Sequence, residues 1–470
     1  MPTGALLILF TIHDSPFTIH ESIPPARGDV RIDPYGQSLF MLHSILNIIL
    51  YISGKLSALL TALCTHWSLY ALIGLFTTRR FPKAKQLHRL AVVVAARNEE
   101  AVIGNLLESI RRQDYPAALI TVFVVADNCT DNTAGIARQN GAVCYERTDP
   151  DRRTKGYALQ FLFRQIERDY GTDAFEAYIV FDADNLLKRD FLSRMNEAFD
   201  AGERIVTSYR NTKNFADNWI SASYAIHWLR TVRLEHRARS VLGLATRIQG
   251  TGFLFASELV KNGWNYTSLT EDRAFSADAV AAGYRISYCD AAQFYDEQPV
   301  NLKIALRQRL RWAKGHLQAF TETGGKLLQH IFTSGSASTA FMSYDMLCIV
   351  VPRSLLSIFH HILQLLFPFV LWLSLGEPFG AVTAALLSVL AAVGTRYLEN
   401  IAAAVYVFIA ERRRIPPMPW WKKVWFSLTF PIFDIIGRAS TFLALFRRVD
   451  WKPIPHDSAV TIDDLEPVAK

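Results

Sequence analysis

Apolar residues follow three regimes along the chain. Between residues 38 and 76 they run almost unbroken, as "SLFMLHSILNIILYISG" (38–54) and "SALLTALCTHWSLYALIGLF" (57–76). The second run has the roughly 20 residues needed to cross hydrocarbon, whereas the first is shorter and carries His43 and Asn47. From 87 to 325 short β-branched runs alternate with stretches of helical periodicity. Strands are predicted at 89–96, 120–127, 142–148 and 177–185, with helices at 99–113, 130–140 and 154–169 between them. This alternation predicts an α/β domain, a mostly parallel sheet with helices on both faces. In such sheets ligands bind outside the carboxyl ends of the strands. From about 340 the chain turns apolar again. Residues 355–375 and 380–410 read as two crossings. Residues 424–446 hold Pro431, Asp434 and Arg438 between basic flanks and read as an interfacial or re-entrant segment.

The chain thus divides into an extension (1–37), transmembrane helices (38–78), the α/β domain (87–325), interfacial and transmembrane helices (326–450) and a tail (451–470). Basic clusters set the expected sidedness. "TTRRFPKAKQ" follows the first membrane region and "ERRRIPPMPWWKK" (411–423) precedes the last apolar segment, with Trp420 and Trp421 at the interface. A multi-pass protein of the cell membrane is expected, with the α/β domain and the tail facing the cytoplasm. The first ten residues lack a basic start and a small-residue cleavage site, so no cleaved signal peptide is expected.

Composition adds little to this. Half of the 470 residues are hydrophobic, which argues against a fully soluble protein, and 50 Lys+Arg against 43 Asp+Glu leave a net charge of +7. That balance suits anionic lipid, nucleotides or nucleic acid without choosing among them. Five scattered cysteines show neither zinc spacing nor a disulfide framework. Arg353, Arg396, Glu399, Asp434 and Arg438 fall in or near apolar runs. They serve either helix pairing and snorkelling or a polar path across the bilayer.

Candidate chemistry collects at the predicted strand ends. The first strand ends in "RNEE" with Glu99, the second in Asp127, and the fourth in "DAD", Asp182 and Asp184. Singly, each reads as a helix cap. Together they place acidic groups on one rim, which capping does not require. Strand alternation turns Asp182 and Asp184 to one side, a pair suited to Mg²⁺ or Mn²⁺ completed by substrate phosphates. With no Gly-rich phosphate loop in the chain, a phosphate must be held by metal and basic side chains. "NLKIALRQRLRWAKG" (301–315) reads as a helix on which Gln308, Arg311 and Trp312 share a face. Arg311 can grip a phosphate with two hydrogen bonds, and Trp312 offers a flat apolar surface. Arg307, Arg309 and Lys314 suit lipid heads. In "LTEDRAF" (269–275), Glu271 and Asp272 either cap the next helix or supply a general base.

The ordered set D-x-D, T-E-D and Q-x-x-R-W, over residues 88–320 and just before a membrane region, resembles the family 2 glycosyltransferases. The likeness is to the membrane-embedded processive branch of cellulose, chitin, hyaluronan and poly-N-acetylglucosamine synthases. That resemblance implies a GT-A-like fold, a nucleotide-sugar donor, a polysaccharide or lipid acceptor, lipid contact, and no nucleic acid partner. It further implies that Glu99, Asp127 and Lys155 contact the nucleotide, and that Asp184 with Asp182 takes the metal. Asp272 would be the base, with Glu271 beside it in the substrate site. Gln308 and Arg311 would hold the diphosphate and Trp312 the acceptor sugar. "WKPIPH" (451–456) is similar to a short C-terminal motif of some members that returns near the nucleotide, with His456 here in place of their Arg. "QGTGFLF" (249–255) falls where an acceptor loop would lie. The layout is closer to poly-N-acetylglucosamine synthases than to cellulose synthases.

Overall fold

The computed structural model describes residues 34–375, 378–450, 453–454, 456 and 458–466. The expected extension lies outside the described residues up to residue 33, as does Trp451 of the C-terminal motif. The chain forms two units, one of residues 1–69 and 353–398 and one of residues 70–352 and 399–470.

The described residues of the first unit are helical. The expected pair of crossings over 38–78 is a single helix, Pro34–Phe76, 43 residues long. Gly54 alone does not break it, because no proline or turn sequence follows. At 1.5 Å per residue the helix is about 65 Å long, some twice the hydrocarbon thickness. Arg353, at the start of the helix Arg353–Leu375, places its guanidinium 3.7 Å over the Trp67 ring. The expected crossing at 380–410 falls in the helix Pro378–Ala410.

The second unit carries an eight-stranded sheet: β1 (Leu90–Ala96), β2 (Ile120–Asp127), β3 (Val143–Arg147), β4 (Ala177–Asp182), β5 (Leu186–Leu187), β6 (Ile205–Thr212), β7 (Phe253–Ala256) and β8 (Ile286–Asp296). Their order is β3-β2-β1-β4-β7-β6-β8-β5. Strands β3, β2, β1 and β4 are parallel, as expected. Beyond β4 the sheet turns mixed: β7 is antiparallel to β4 and to β6, β6 and β8 are parallel, and β5 is antiparallel to β8. The expectation of a mostly parallel sheet therefore holds for one half only. The α/β core lies where apolar faces of helices such as Ile103–Arg111 and Phe191–Asp200 meet the sheet. A second core joins Tyr224, Ile226 and Leu229 to Phe426, Phe430 and Phe433.

Among the described residues, two helices are long and apolar enough to cross a membrane, Ser44–Phe76 and Trp420–Phe446. A third span is possible if Ala337–Val350 and Arg353–Leu363, bent by 60°, count as one. Residues 424–446, expected at the interface or turning back, form one continuous helix with Pro431 inside it.

Candidate active site

The register brings the carboxyl ends of β1, β2 and β4 level: Ala96 pairs with Ala126, and Ala95 with Asp182. The chain leaves β1 and β2 through Asn98 (φ 56°) and Asn128 (φ 53°), both left-handed. Asparagine tolerates that region better than other side chains with a Cβ. Each also ties its loop: Asn98 Oδ1 accepts from Thr130 N (2.8 Å), and Asn128 Oδ1 from Asp149 N (2.8 Å).

The two aspartates of the DAD motif differ. Strand β4 ends at Asp182, so strand alternation does not carry through to residue 184, which sits in the following turn. Asp182 keeps 39% of its side chain exposed, while Asp184 is 5% exposed. Burial alone would push Asp184 up. His456, Lys213, the Glu297 backbone N–H (2.8 Å) and Arg210 outweigh it and hold the carboxyl below its usual range. Both aspartates act on Glu99, whose carboxyl burial pushes up to about 7 against the pull of His456. His456 Nδ1 lies 3.0 Å from both Glu99 oxygens. Burial works against its imidazolium, but Asp184 and Glu99 prevail and raise it to about 10.

Lys155 links this group to the next. It opens the helix Lys155–Tyr170, donates to Asp182 Oδ1 and to the Gly250 carbonyl (2.8 Å), and feels Glu271 and Asp272. Burial opposes its charge, yet these carboxylates keep its pKa raised. Gly156 allows the approach, since a Cβ there would run into the Tyr266 carbonyl and lie 2.8 Å from Thr267 Cα. Glu271 and Asp272 open the helix Glu271–Ala281. Glu271 is buried and pushed up to about 7, with Lys155 and Arg311 countering in part. Asp272 Oδ2 would be 3.8 Å from a Cβ built on Gly250.

The basic motif sits on the helix Leu302–Thr333, begun by Asn301, whose side chain accepts from Lys303 N and Ile304 N. Arg311 Nη1 donates to the Leu269 carbonyl (3.1 Å), one residue before the TED motif. Gly315 faces Thr270, where a Cβ would lie 2.5 Å from Thr270 Cγ2. Gln308 Oε1 is buried without a hydrogen-bond partner, and its amide NH₂ is the end that can donate to a phosphate oxygen. Trp312 is half-buried, edge-on to Tyr224 (5.8 Å) and Trp228 (5.5 Å). Arg309 and Lys314 do not reach for lipid heads as expected. They donate to the Phe433 and Ala444 carbonyls of the helix Trp420–Phe446.

Thus Asp182, Asp184, Glu99, Lys155, Glu271, Asp272 and Arg311 form one linked rim. Asp127 stands two strands from Asp182, roughly 10 Å across the sheet, buried and paired with Arg147. Sequence reasoning missed Arg147, Arg210, Lys213, Asp296 and Glu297. Arg210 pairs with Asp296, and Lys213 with Glu297 (3.3 Å).

Among the described residues no three His, Cys, Asp or Glu side chains gather as an all-protein metal cage. Mg²⁺ and Mn²⁺ need only one or two carboxylates when phosphates complete the shell. An ionised Asp184 and a partly exposed Asp182 fit that requirement.

Residues 88–315, slightly under half of the chain, match the model of the family described as "Glycosyltransferase like family 2", which places a family 2 glycosyltransferase domain there. The probable glycosyltransferase YdaM of Bacillus subtilis is 26% identical over 266 residues, covering 51% of this chain and 58% of that one. A beta-monoglucosyldiacylglycerol synthase of Synechocystis sp. is 27% identical over 244 residues, 50% and 49% of the two chains. A poly-beta-1,6-N-acetyl-D-glucosamine synthase of Staphylococcus aureus is 25% identical over 237 residues, 49% and 55%. The match spans about half the length of these relatives.

Proposed function

We propose that this protein is a membrane-bound, inverting, metal-dependent glycosyltransferase. It moves a sugar from a nucleoside diphosphate, UDP-N-acetylglucosamine or UDP-glucose, to a growing polysaccharide on the cytoplasmic side of the cell membrane. The observation that carries this reading is the linked rim, on which Lys155 joins the DAD aspartate Asp182 to the acidic pair Glu271 and Asp272. Donor-binding carboxylates, a cation and a candidate base are thereby brought to one place.

In the reaction the acceptor hydroxyl oxygen bonds to the anomeric carbon as the bond from that carbon to the diphosphate oxygen breaks. Asp272 receives the hydroxyl proton, and the diphosphate leaves with the bonding pair. Asp184 and Asp182 would hold a divalent cation, which when bound neutralises charge on the diphosphate. Lys155, Arg311 and Gln308 hold the leaving group, and fixed donors aimed at developing charge are worth far more here than in water. Glu99 and Asp127, spaced along the strand ends, suit the ribose and base. Trp312 and its aromatic neighbours suit the acceptor. General-base help supplies roughly 10²–10⁴-fold, so positioning provides most of the acceleration.

A second reading is transfer of one sugar to a lipid acceptor, favoured by the likeness to beta-monoglucosyldiacylglycerol synthases. Incubating the purified protein with UDP-sugars and Mn²⁺ separates the two, since polymer supports the first and a monoglycosyl lipid the second. UDP release from no donor would refute both. Asp272→Asn should lower transfer by at least 10²-fold while UDP binding persists. Equal loss of UDP binding would move Asp272 to the donor site.

A further inference from the structure

Outside this rim, the basic stretch at 411–414 helps to wall a cavity of about 500 Å³. Five arginines line it, Arg233, Arg237, Arg412, Arg413 and Arg414, together with Glu411 and the end of an apolar helix at Ala410. None of these belongs to the carboxylate rim. Two carboxylates answer the five cations. Glu411 is fully buried and takes Arg233 and the Tyr209 hydroxyl (2.9 Å). Asp290 takes Arg237 through two bonds (2.8 and 3.0 Å) and Arg414 (2.9 Å). These pairs fix three guanidinium groups in place and still leave the cavity with an excess of positive charge. Arg412 and Arg413 are exposed at its edge, and Arg414 Nη1 is buried with no hydrogen-bond partner.

The backbone supports this arrangement. Arg233 lies on a π-helical turn, Val232–His236, a rare conformation that concentrates at functional sites. Gly74 lets a neighbouring helix pack directly on the Arg233 carbonyl, a place no Cβ could occupy. The cavity also sits at an apolar–polar boundary of the chain. It adjoins the end of one apolar helix at Ala410, and the next begins at Trp420 and Trp421, which are 77% and 54% exposed. Tryptophans in that setting mark the level of lipid headgroups.

We infer that this cavity is a binding site for a phosphate anion, with the headgroup of an anionic phospholipid as its source. Rigid guanidinium forks match phosphate oxygens in pairs, and a walled, positively charged cavity concentrates anions. The inference does not depend on the sugar-transfer reading, and its test measures no transfer.

The full chain in neutral detergent is titrated with short-chain phosphatidylglycerol, short-chain phosphatidylcholine and inorganic phosphate. Binding is followed by native mass spectrometry and by the melting temperature. Saturable binding of phosphatidylglycerol is expected, weakened at least tenfold in the Arg412→Gln/Arg413→Gln double variant with its unliganded melting temperature unchanged. Phosphatidylglycerol binding without phosphate binding identifies the headgroup as the ligand, and equal binding of both identifies the phosphate group alone. Phosphatidylcholine binding as tight as phosphatidylglycerol, or binding unaltered in the double variant, overturns the inference. If the double variant melts early, the single Arg412→Gln variant is read by the same criteria.

Discussion

Replacing Glu271 with glutamine should stabilise the protein, and only once the pH is above about 5. In an unfolded chain this carboxyl titrates at 4.5, and in the fold burial pushes it up to about 7, with Lys155 and Arg311 offsetting part of the burial. Below pH 4.5 both states carry the proton and the position is neutral for stability. As the pH rises the unfolded chain ionises first, so stability falls until the folded carboxyl ionises near 7. At about 1.4 kcal/mol per pH unit between the two values, the full loss is roughly 3 kcal/mol. Glutamine mimics the protonated acid and never incurs it. For a domain of this size the difference corresponds to about 6–10 °C in melting temperature. Tryptophan-fluorescence melts of the full chain in detergent, from pH 5 to 8.5, should show the variant and the parent converging at the acid end, separating as the pH rises towards 7 and keeping a constant gap above it. A gap independent of pH, or a variant less stable at pH 8, would show that Lys155 and Arg311 hold Glu271 as an ordinary carboxylate. A residue that destabilises the fold at working pH is retained for another reason, and its place beside Asp272 and Lys155 supplies one.

Gly156→Ala should lower stability by about 1–3 kcal/mol, because the new methyl meets the rigid Tyr266–Thr267 backbone; a denaturant titration reads this directly. Asp345→Asn should cost about 3–5 kcal/mol by leaving Arg239 buried without its two-bond partner (2.7 and 3.0 Å). Replacing both residues with apolar ones of similar volume should recover most of that loss in the same melts. Trp312→Ala should raise the acceptor KM more than the donor KM, and an equal rise in both would remove the indole from the acceptor side.

The first half of the sheet was legible because β1, β2 and β4 are continuous apolar runs buried on both faces, a pattern that local sequence states directly. Strands β6 and β8 were not. Their buried positions include Thr207, Ser208, Asn211, Asp290, Gln293 and Asp296, which reads as loop to any rule based on apolar periodicity. Several of the polar groups on these strands find partners far along the chain: Tyr209 donates to Glu411, Asn211 to the Arg414 carbonyl (2.8 Å), and Asp290 accepts from Arg414 (2.9 Å). The pairing also jumps from Ser208–Cys289 to Tyr209–Gln293, so residues 290–292 bulge out of β8 and interrupt its alternation. Arg210, Lys213 and Asp296 lie on or beside these strands, so they were missed with them. The motif residues were visible because they cluster in sequence, but their burial was not. Nothing local distinguishes the partly exposed Asp182 from the buried Asp184: the turn between them closes on itself, Asn185 N to the Asp182 carbonyl (3.2 Å), while the backbone N–H that Asp184 meets belongs to the distant Glu297 (2.8 Å).

The helix Leu302–Thr333 shows why the acidic pair and the last apolar helix cannot be treated as separate parts. On one side Arg311 holds the Leu269 carbonyl, and Gly315 admits the Thr270 side chain that precedes Glu271. On another, Arg309 donates to the Phe433 carbonyl and lays its guanidinium 3.5 Å over the Phe433 ring, while Lys314 donates to the Ala444 carbonyl (3.1 Å). Two cations spent on backbone carbonyls of an apolar helix are costly to bury unless the contact is kept. Sliding Trp420–Phe446 by one turn, about 5.4 Å, would strip both of their acceptors at once. The position of Glu271 and Asp272 is therefore set as much by this apolar helix as by the sheet whose strand ends they face.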